Sequence, residues 1–235
     1  MVDYSLNEVE ATVKKAVRAV GYPWGLAEEA ARSAGWLCHH GHDGCAAIAR
    51  HLAFFDPIDI KAHSPCLGAD SWQASEQALC PLLSGVTLSD RGQQLVDGTL
   101  VDSSSVDSSS VDSSQGEHRQ QLELQFNQVV EPLLLCFFAA QVARQTTTVV
   151  RLAWQDCYAT TDGLHLSMSG TRQAAIADIT LSLVDTRMTR NTLSQRGYPS
   201  EKTWEILNQY AARTYAPATD ESRLKGAGAG LSDND

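Results

Sequence analysis

The chain predicts an α+β protein: an N-terminal helical cluster packed on an antiparallel sheet, with a closing C-terminal helix. Two observations carry this. Apolar residues recur at helical spacing through Leu6, Val9, Val13, Ala16, Val17 and Val20, and again through Trp204, Leu207 and Ala211. Between these regions the pattern switches to period two, as in Leu122-Glu123-Leu124-Gln125-Phe126. Helices first, strands second and a last helix do not alternate as β-α-β units do. An antiparallel sheet with one solvated face is therefore expected.

The first helix opens on Ser5-Leu6-Asn7-Glu8, a capping box in which the Ser5 hydroxyl accepts from the Glu8 N–H and Glu8 reaches back. Gly21 closes it, and Tyr22-Pro23 forbids its continuation. Residues 25–40 read as a second helix, with Glu28 and Glu29 in the first turns, where the helix dipole favours anions. Ala27, Ala30, Ala31 and Ala34 let a neighbour approach it closely, and Gly41 suits its end. Asp43 can cap a third helix over 44–55, ended by Asp56-Pro57. Beyond it, a helix over 70–79 and a short strand over 86–88 are expected.

Val96, Val101, Val106 and Val111 then begin four copies of a five-residue unit rich in Asp and Ser. A period of five matches neither 3.6 nor 2.0, so no face is consistently apolar. A disordered Ser/Asp-rich loop over 96–118 is expected, inserted in a single domain spanning 1–235. A calcium-binding repeat is rejected, because the two perfect units have no glycine for the sharp turns around an ion. Further on, 132–143 is ambiguous between helix and buried strand, 147–154 is β-rich and 164–168 alternates. Asp162-Gly163 is a hairpin turn signal. Residues 176–184 alternate, with Ile179, Leu181 and Leu183 on one face, and Ser200 caps the last helix to about 213. A Gly-rich tail occupies 214–235.

The 235 residues are 43% apolar and 20% charged, ordinary values for a globular protein with a real core. The formal net charge is −10, of which Asp97, Asp102, Asp107 and Asp112 supply −4 from the repeat. The balance argues against nucleic acid and against a polybasic membrane site, both of which depend on Lys and Arg. No apolar run approaches transmembrane length. Met1-Val2-Asp3-Tyr4-Ser5 shows no cationic segment of a secretory signal, so a cytoplasmic location is expected. Six cysteines without a C-x-x-C pair then read as buried small apolar residues.

Tyr4-Ser5-Leu6-Asn7-Glu8-Val9-Glu10, the segment Gly21-Tyr22-Pro23-Trp24-Gly25-Leu26-Ala27-Glu28-Glu29-Ala30 and the tail from Gly226 to Asp235 resemble an uncharacterised bacterial family, domain of unknown function 3726. The resemblance runs along the chain apart from the serine-rich insertion. It implies that the tail and the Trp24 segment belong to the body of the protein. The family carries no assigned activity, so the resemblance implies no cofactor and no catalytic residue.

Three groups of residues could carry chemistry. In the tail, Gly226, Gly228 and Gly230 can turn N–H groups toward an anion while Arg223 and Lys225 supply charge. Docking on the protein's own surface and simple mobility stand beside that reading. The strand and helix of a dinucleotide fingerprint are missing around these glycines. At the start of the second helix, Trp24 could wall a pocket in which Glu28 or Glu29 acts as acid or base. The alternative is a packed helix anchor with two dipole-complementing glutamates. Between Cys38 and Cys45, the subset Cys38, His42 and Cys45 could converge on zinc, but the second distant ligand pair of a structural site is absent.

No serine-hydrolase motif is present, and pairing of Cys136 or Cys157 with His165 has no sequence support. Arg151 and Arg172 are equally readable as anion-facing or solvated strand cations. No cofactor is expected. The function expected is binding of a small anionic metabolite between the helical layer and the sheet, with catalysis left open. The rival is a non-catalytic accessory or assembly protein, with a homo-oligomer or another protein as partner. A metal protein built on Cys38 to Cys45 is the third reading.

Overall fold

The structure is a computed structural model that describes residues 2–98, 122–170, 175–190 and 192–215. It opens with a two-residue strand, β1 (Tyr4–Ser5), leading into α1 (Leu6–Ala19). The capping box is present in full: the Ser5 N–H donates to Glu8 Oε2 at 2.8 Å and the Glu8 N–H donates to Ser5 Oγ at 3.2 Å. Val9, Val13, Ala16 and Val17 form the buried stripe. The second helix, α2 (Trp24–His39), ends in a Schellman closure, with the His42 N–H bonded to the Leu37 carbonyl and the Gly41 N–H to that of Cys38. Asp43 then caps α3 (Gly44–Phe55) by accepting from the Ala46 N–H at 2.9 Å. A single turn, α4 (Ile60–His63), leads to the short strands β2 (Pro65–Leu67) and β3 (Ser71–Ala74).

The helix expected over 70–79 is thus replaced by a strand. Trp72 decides the outcome: it is fully buried from β3 and meets Phe126 edge-on at 5.2 Å, burial that outweighs local propensity. The strand expected over 86–88 lies inside α5 (Pro81–Val96). Its stripe is Leu82, Gly85, Leu88, Gly92 and Leu95, and the glycines hide the helical period from any count of apolar side chains. They do so for a reason: a Cβ at Gly85 would strike the Phe138 ring. Residues 96–98 complete the end of α5, and the remainder of the serine-rich repeat lies outside the described residues.

The second half supplies β4 (Glu123–Val130), a 3-10 turn over Pro132–Leu134, α6 (Leu135–Thr146), β5 (Val150–Trp154), β6 (Cys157–Thr161), β7 (Leu166–Ser169) and β8 (Ile176–Leu183). The ambiguity over 132–143 resolves as helix, because α6 packs along α5 and lays Phe138 and Val142 over its two glycines. The strand β6 was not expected; Asp162-Gly163 joins it, and not 147–154, to β7. The sheet runs β2-β3-β4-β8-β5-β6-β7, antiparallel except for the parallel pair β3/β4.

A last strand, β9 (Arg196–Gly197), pairs with β1, and α7 (Glu201–Ala212) closes the fold. It packs on α1 and α3, with Leu207 and Ala211 buried and Trp204 stacked on Tyr4 at 3.8 Å. The result is α+β, with helices at the N-terminus, a mostly antiparallel sheet and a C-terminal helix. No helix among the described residues is long and apolar enough to cross a membrane.

Candidate functional site

Two helices from opposite halves of the chain frame the most ligand-like depression. Along α2, Arg32 and Trp36 stand four residues apart, one turn above the other on the same face, and His40 follows at the same interval. Along α6, Phe137, Gln141 and Arg144 follow at intervals of four and three, which also places them on one face. Between the helices lies a groove of about 320 Å³, lined by Arg32, Trp36, Phe137, Ala140, Gln141, Arg144, Gln145 and Gly163. Its wall is aromatic, with the Trp36 and Phe137 ring centroids 6.1 Å apart. A cation stands on each helix at its rim.

The surroundings fix these side chains. Trp36 leans on the His40 ring at 4.2 Å. His40 is held in turn, with Nδ1 2.8 Å from the Trp36 carbonyl oxygen and Nε2 3.1 Å from that of Leu164. Arg144 Nη2 donates to the Gly163 carbonyl at 3.0 Å. That approach requires glycine: Gly163 has φ +90°, and a Cβ there would lie 2.8 Å from Arg144 Cβ and 2.9 Å from the Ala140 carbonyl oxygen. The turn is locked by Asp162, whose Oδ1 accepts the Leu164 and His165 N–H groups at 2.9 and 2.7 Å. Burial pushes the Asp162 carboxyl up, but these N–H groups and the His165 ring at 2.9 Å outweigh it and hold the carboxyl below its ordinary value. Arg32 Nη1 donates to Glu29 Oε1 at 2.7 Å. Each guanidinium has five N–H donors, so both retain donors for a ligand.

A second, wider depression of about 570 Å³ lies between α1 and α2, lined by Asn7, Glu10, Ala11, Lys14, Lys15, Glu28, Ala31 and Arg32. Its charges are already matched in part. Lys14 Nζ stands 3.8 Å from Glu28, and Lys15 Nζ donates to the Tyr215 hydroxyl at 3.0 Å.

The residues singled out by sequence are scattered by comparison. Trp24 is 55% exposed, lies beneath the Arg18 guanidinium at 5.4 Å and lines neither depression. Glu28 sits in the α1/α2 depression, whereas Glu29 turns to Arg32. Arg223, Lys225, Gly226, Gly228 and Gly230, like Arg172, lie outside the described residues. Cys38 and Cys45 are both buried, and the described residues contain no group of three His, Cys, Asp or Glu placed to hold a metal ion. Cys136 and Cys157 are buried, and the His165 ring is engaged with Asp162. Arg151 covers the Tyr158 ring at 5.0 Å and reaches Thr160 Oγ1 at 3.3 Å.

Three strongly perturbed ionisable groups lie elsewhere, in a sealed cluster. The Tyr22 hydroxyl contacts His51 Nε2 at 2.9 Å and Cys80 Sγ at 3.2 Å, and all three residues are fully buried. Burial pushes the His51 imidazole down to about 3 and the Cys80 thiol up to about 11, and it raises the Tyr22 phenol as well. No depression described above reaches them. Sequence reasoning missed Trp36, Phe137, Gln141 and Arg144; the repeat of four on α2 was visible, but its pairing with α6 was not.

The fold and groove define a helix-and-sheet protein with a cationic, aromatic-lined cleft. Residues 4–80 match the family described as "Protein of unknown function (DUF3726)", so the family resemblance read from the sequence holds over that region. The match takes in Trp24, Arg32, Trp36 and the Cys38 to Cys45 turn, but neither α6 nor the tail. No curated protein and no solved structure matches the chain.

Proposed function

We propose that the α2/α6 groove binds a small anionic metabolite with an apolar or aromatic body. Its carboxylate or phosphate pairs with Arg32 and Arg144, and its body lies on Trp36 and Phe137. The observation that carries this reading is the pair of arginines bordering an aromatic wall in a chain whose formal charge is −10. Guanidinium forks match carboxylate and phosphate geometry and tolerate aromatic neighbours. The groove's 320 Å³ falls in the range of about 300–1,000 Å³ usual for small-molecule sites. The reading is one of binding, since the lining carries neither a general acid–base group nor a nucleophile.

A thermal-shift and calorimetry screen of the intact chain tests it, using aromatic carboxylates, aliphatic carboxylates and phosphate esters. At least one of these is expected to raise Tm, and Arg144→Ala and Trp36→Ala are each expected to weaken that ligand about tenfold or more. If no anion raises Tm, or if both variants bind as the parent does, the groove is not the site. Nucleic acid is left out of the proposal on charge grounds. A cytoplasmic location is part of it, supported by the placement of Cys80, Cys136 and Cys157 as thiols inside the core.

The rival reading, an assembly protein, draws on exposed Trp24, Phe54 and Tyr198. Light scattering separates the two: a concentration-dependent oligomer that Trp24→Ala dissolves would favour the rival.

A further inference from the structure

The wider depression between α1 and α2 carries charge on both sides and room between. Glu10, Lys14 and Lys15 line it from α1, Glu28 from α2, and the small side chains of Ala11 and Ala31 separate them. These charges are loosely matched. Lys14 Nζ reaches Glu28 only at 3.8 Å, with both side chains nearly half exposed, a pairing worth little in water. Lys15 Nζ donates to the Tyr215 hydroxyl at 3.0 Å and lies 5.2 Å from the centre of that ring, so its partner is a phenol and not a carboxylate. Glu10 folds against α2 so closely that a Cβ at Gly35 would strike its carboxylate.

Tyr215 is also the point from which the chain runs on past α7. That helix packs along α1, and its end is held in place. Arg213 Nη1 donates to Asp56 at 2.6 Å, and the Thr214 and Tyr215 N–H groups bond the carbonyls of Ala211 and Ala212. The next residues therefore start from a side chain that already touches a lysine of the depression.

Their order suits the lining. Asp220 and Glu221 come first, Arg223 and Lys225 next, and then Gly226-Ala227-Gly228-Ala229-Gly230. Carboxylates thus arrive nearest the lysines, and cations follow for Glu10 and Glu28. The last five residues have nothing larger than a methyl group, so their backbone can approach a helix surface closely. Reach sets no limit. From Tyr215 to Gly230 an extended chain covers up to about 50 Å, against about 12 Å along α1 from Lys15 to Asn7. Tethering also favours this occupant over a separate molecule. A segment on a short linker is present at an effective concentration of about a millimolar, so weak contacts suffice.

We propose that residues 220–230 of the same chain seat in the α1/α2 depression. Asp220 and Glu221 pair with Lys14 and Lys15, Arg223 and Lys225 meet Glu10 and Glu28, and Gly226 to Gly230 lie over Ala11 and Ala31. This seating is independent of anion binding in the α2/α6 groove.

The test treats the full chain with a carbodiimide, which joins a carboxylate to a lysine only where the two touch. Mass spectrometry is expected to find Asp220 or Glu221 joined to Lys14 or Lys15, and Lys225 joined to Glu10 or Glu28. Lys61 and Lys202 are the controls for random collision. In a mixture of unlabelled and 15N-labelled chains, the joined peptides should carry one isotope only. Absence of these links, equal linkage to Lys61 and Lys202, or links of mixed isotope overturns the proposal; the last outcome would assign the depression to a second copy.

A second readout needs no crosslink. Ala11 is exposed in the described structure, and exposed Cys66 serves as an internal reference. In Ala11→Cys, the introduced thiol of the native chain is expected to take a maleimide at least about tenfold more slowly than Cys66. Adding Asp220→Lys and Glu221→Lys should bring the two rates together. Equal rates before those changes, or protection that survives them, would show that the segment does not seat as assigned.

Discussion

The sealed Tyr22–His51–Cys80 cluster and the open α2/α6 groove each join an N-terminal helix to a later element, and they are opposites. The cluster has three strongly displaced ionisations, yet it has no access to solvent. The groove is open, cationic and aromatic. A perturbed ionisation therefore reports burial first. It reports chemistry only when something can reach it. By that criterion the cluster is a polar seam in the core, held because one hydroxyl serves two partners, and the groove is where a ligand can act.

The largest effect that would sharpen this contrast comes from acid. His51 is fully buried among Tyr22, Cys80, Phe55 and His63, and its Nδ1 lacks a hydrogen-bond partner. Its pKa is about 3 in the folded chain against an ordinary 6.5, so the unfolded chain takes up the proton first as pH falls. The stability tied to neutral His51 is complete above about pH 6.5. It is lost progressively down to about pH 3, at up to about 1.4 kcal/mol per pH unit. Urea titrations at stepped pH should show His51→Gln losing less stability than the parent between pH 6.5 and 4. Parallel curves would remove the seam's titration.

Gly163→Ala comes next. A Cβ at φ +90° against α6 is expected to cost about 2 kcal/mol and to displace Arg144, weakening anion binding as well. Chemical denaturation together with calorimetry reads both; unchanged binding would detach the hairpin from the groove.

Tyr22→Phe should follow, at about 1–2 kcal/mol, because His51 Nε2 and Cys80 Sγ lose their shared partner inside the core. Its effect on anion affinity should be nil, and any change there would join the two regions that we separate.

Smallest on stability is Arg144→Ala, expected within about 0.5 kcal/mol of the parent. Only its ligand affinity should fall, so a large drop in Tm without ligand would make Arg144 structural.

Much of the helical part was legible because its signals are local. The Ser5–Glu8 box, Gly41, Asp43 and Ser200 each mark a helix end within four residues. What failed was encoded at a distance. The α5 stripe uses two glycines because Phe138 and Val142, some fifty residues later, fill their places. Strand β3 exists because one tryptophan finds Phe126. The site failed for the same reason. Trp24 drew notice beside two glutamates, whereas the aromatic in the groove is Trp36, whose partner Phe137 lay in the segment that was ambiguous by period. The pairing of Arg32 with Arg144 across the groove is a tertiary fact that neither helix announces alone.

The β1/β9 pairing and the Tyr4–Trp204 stack join residues almost two hundred positions apart. As the chain is synthesised, α1 therefore waits, with one flank unclosed, until α7 has been made. A chain stopped after residue 190 would leave the α1 and α3 surfaces that α7 covers open to water and to other chains. Such long-range closure slows folding, and nascent chains of this protein should depend on holding chaperones until synthesis passes α7.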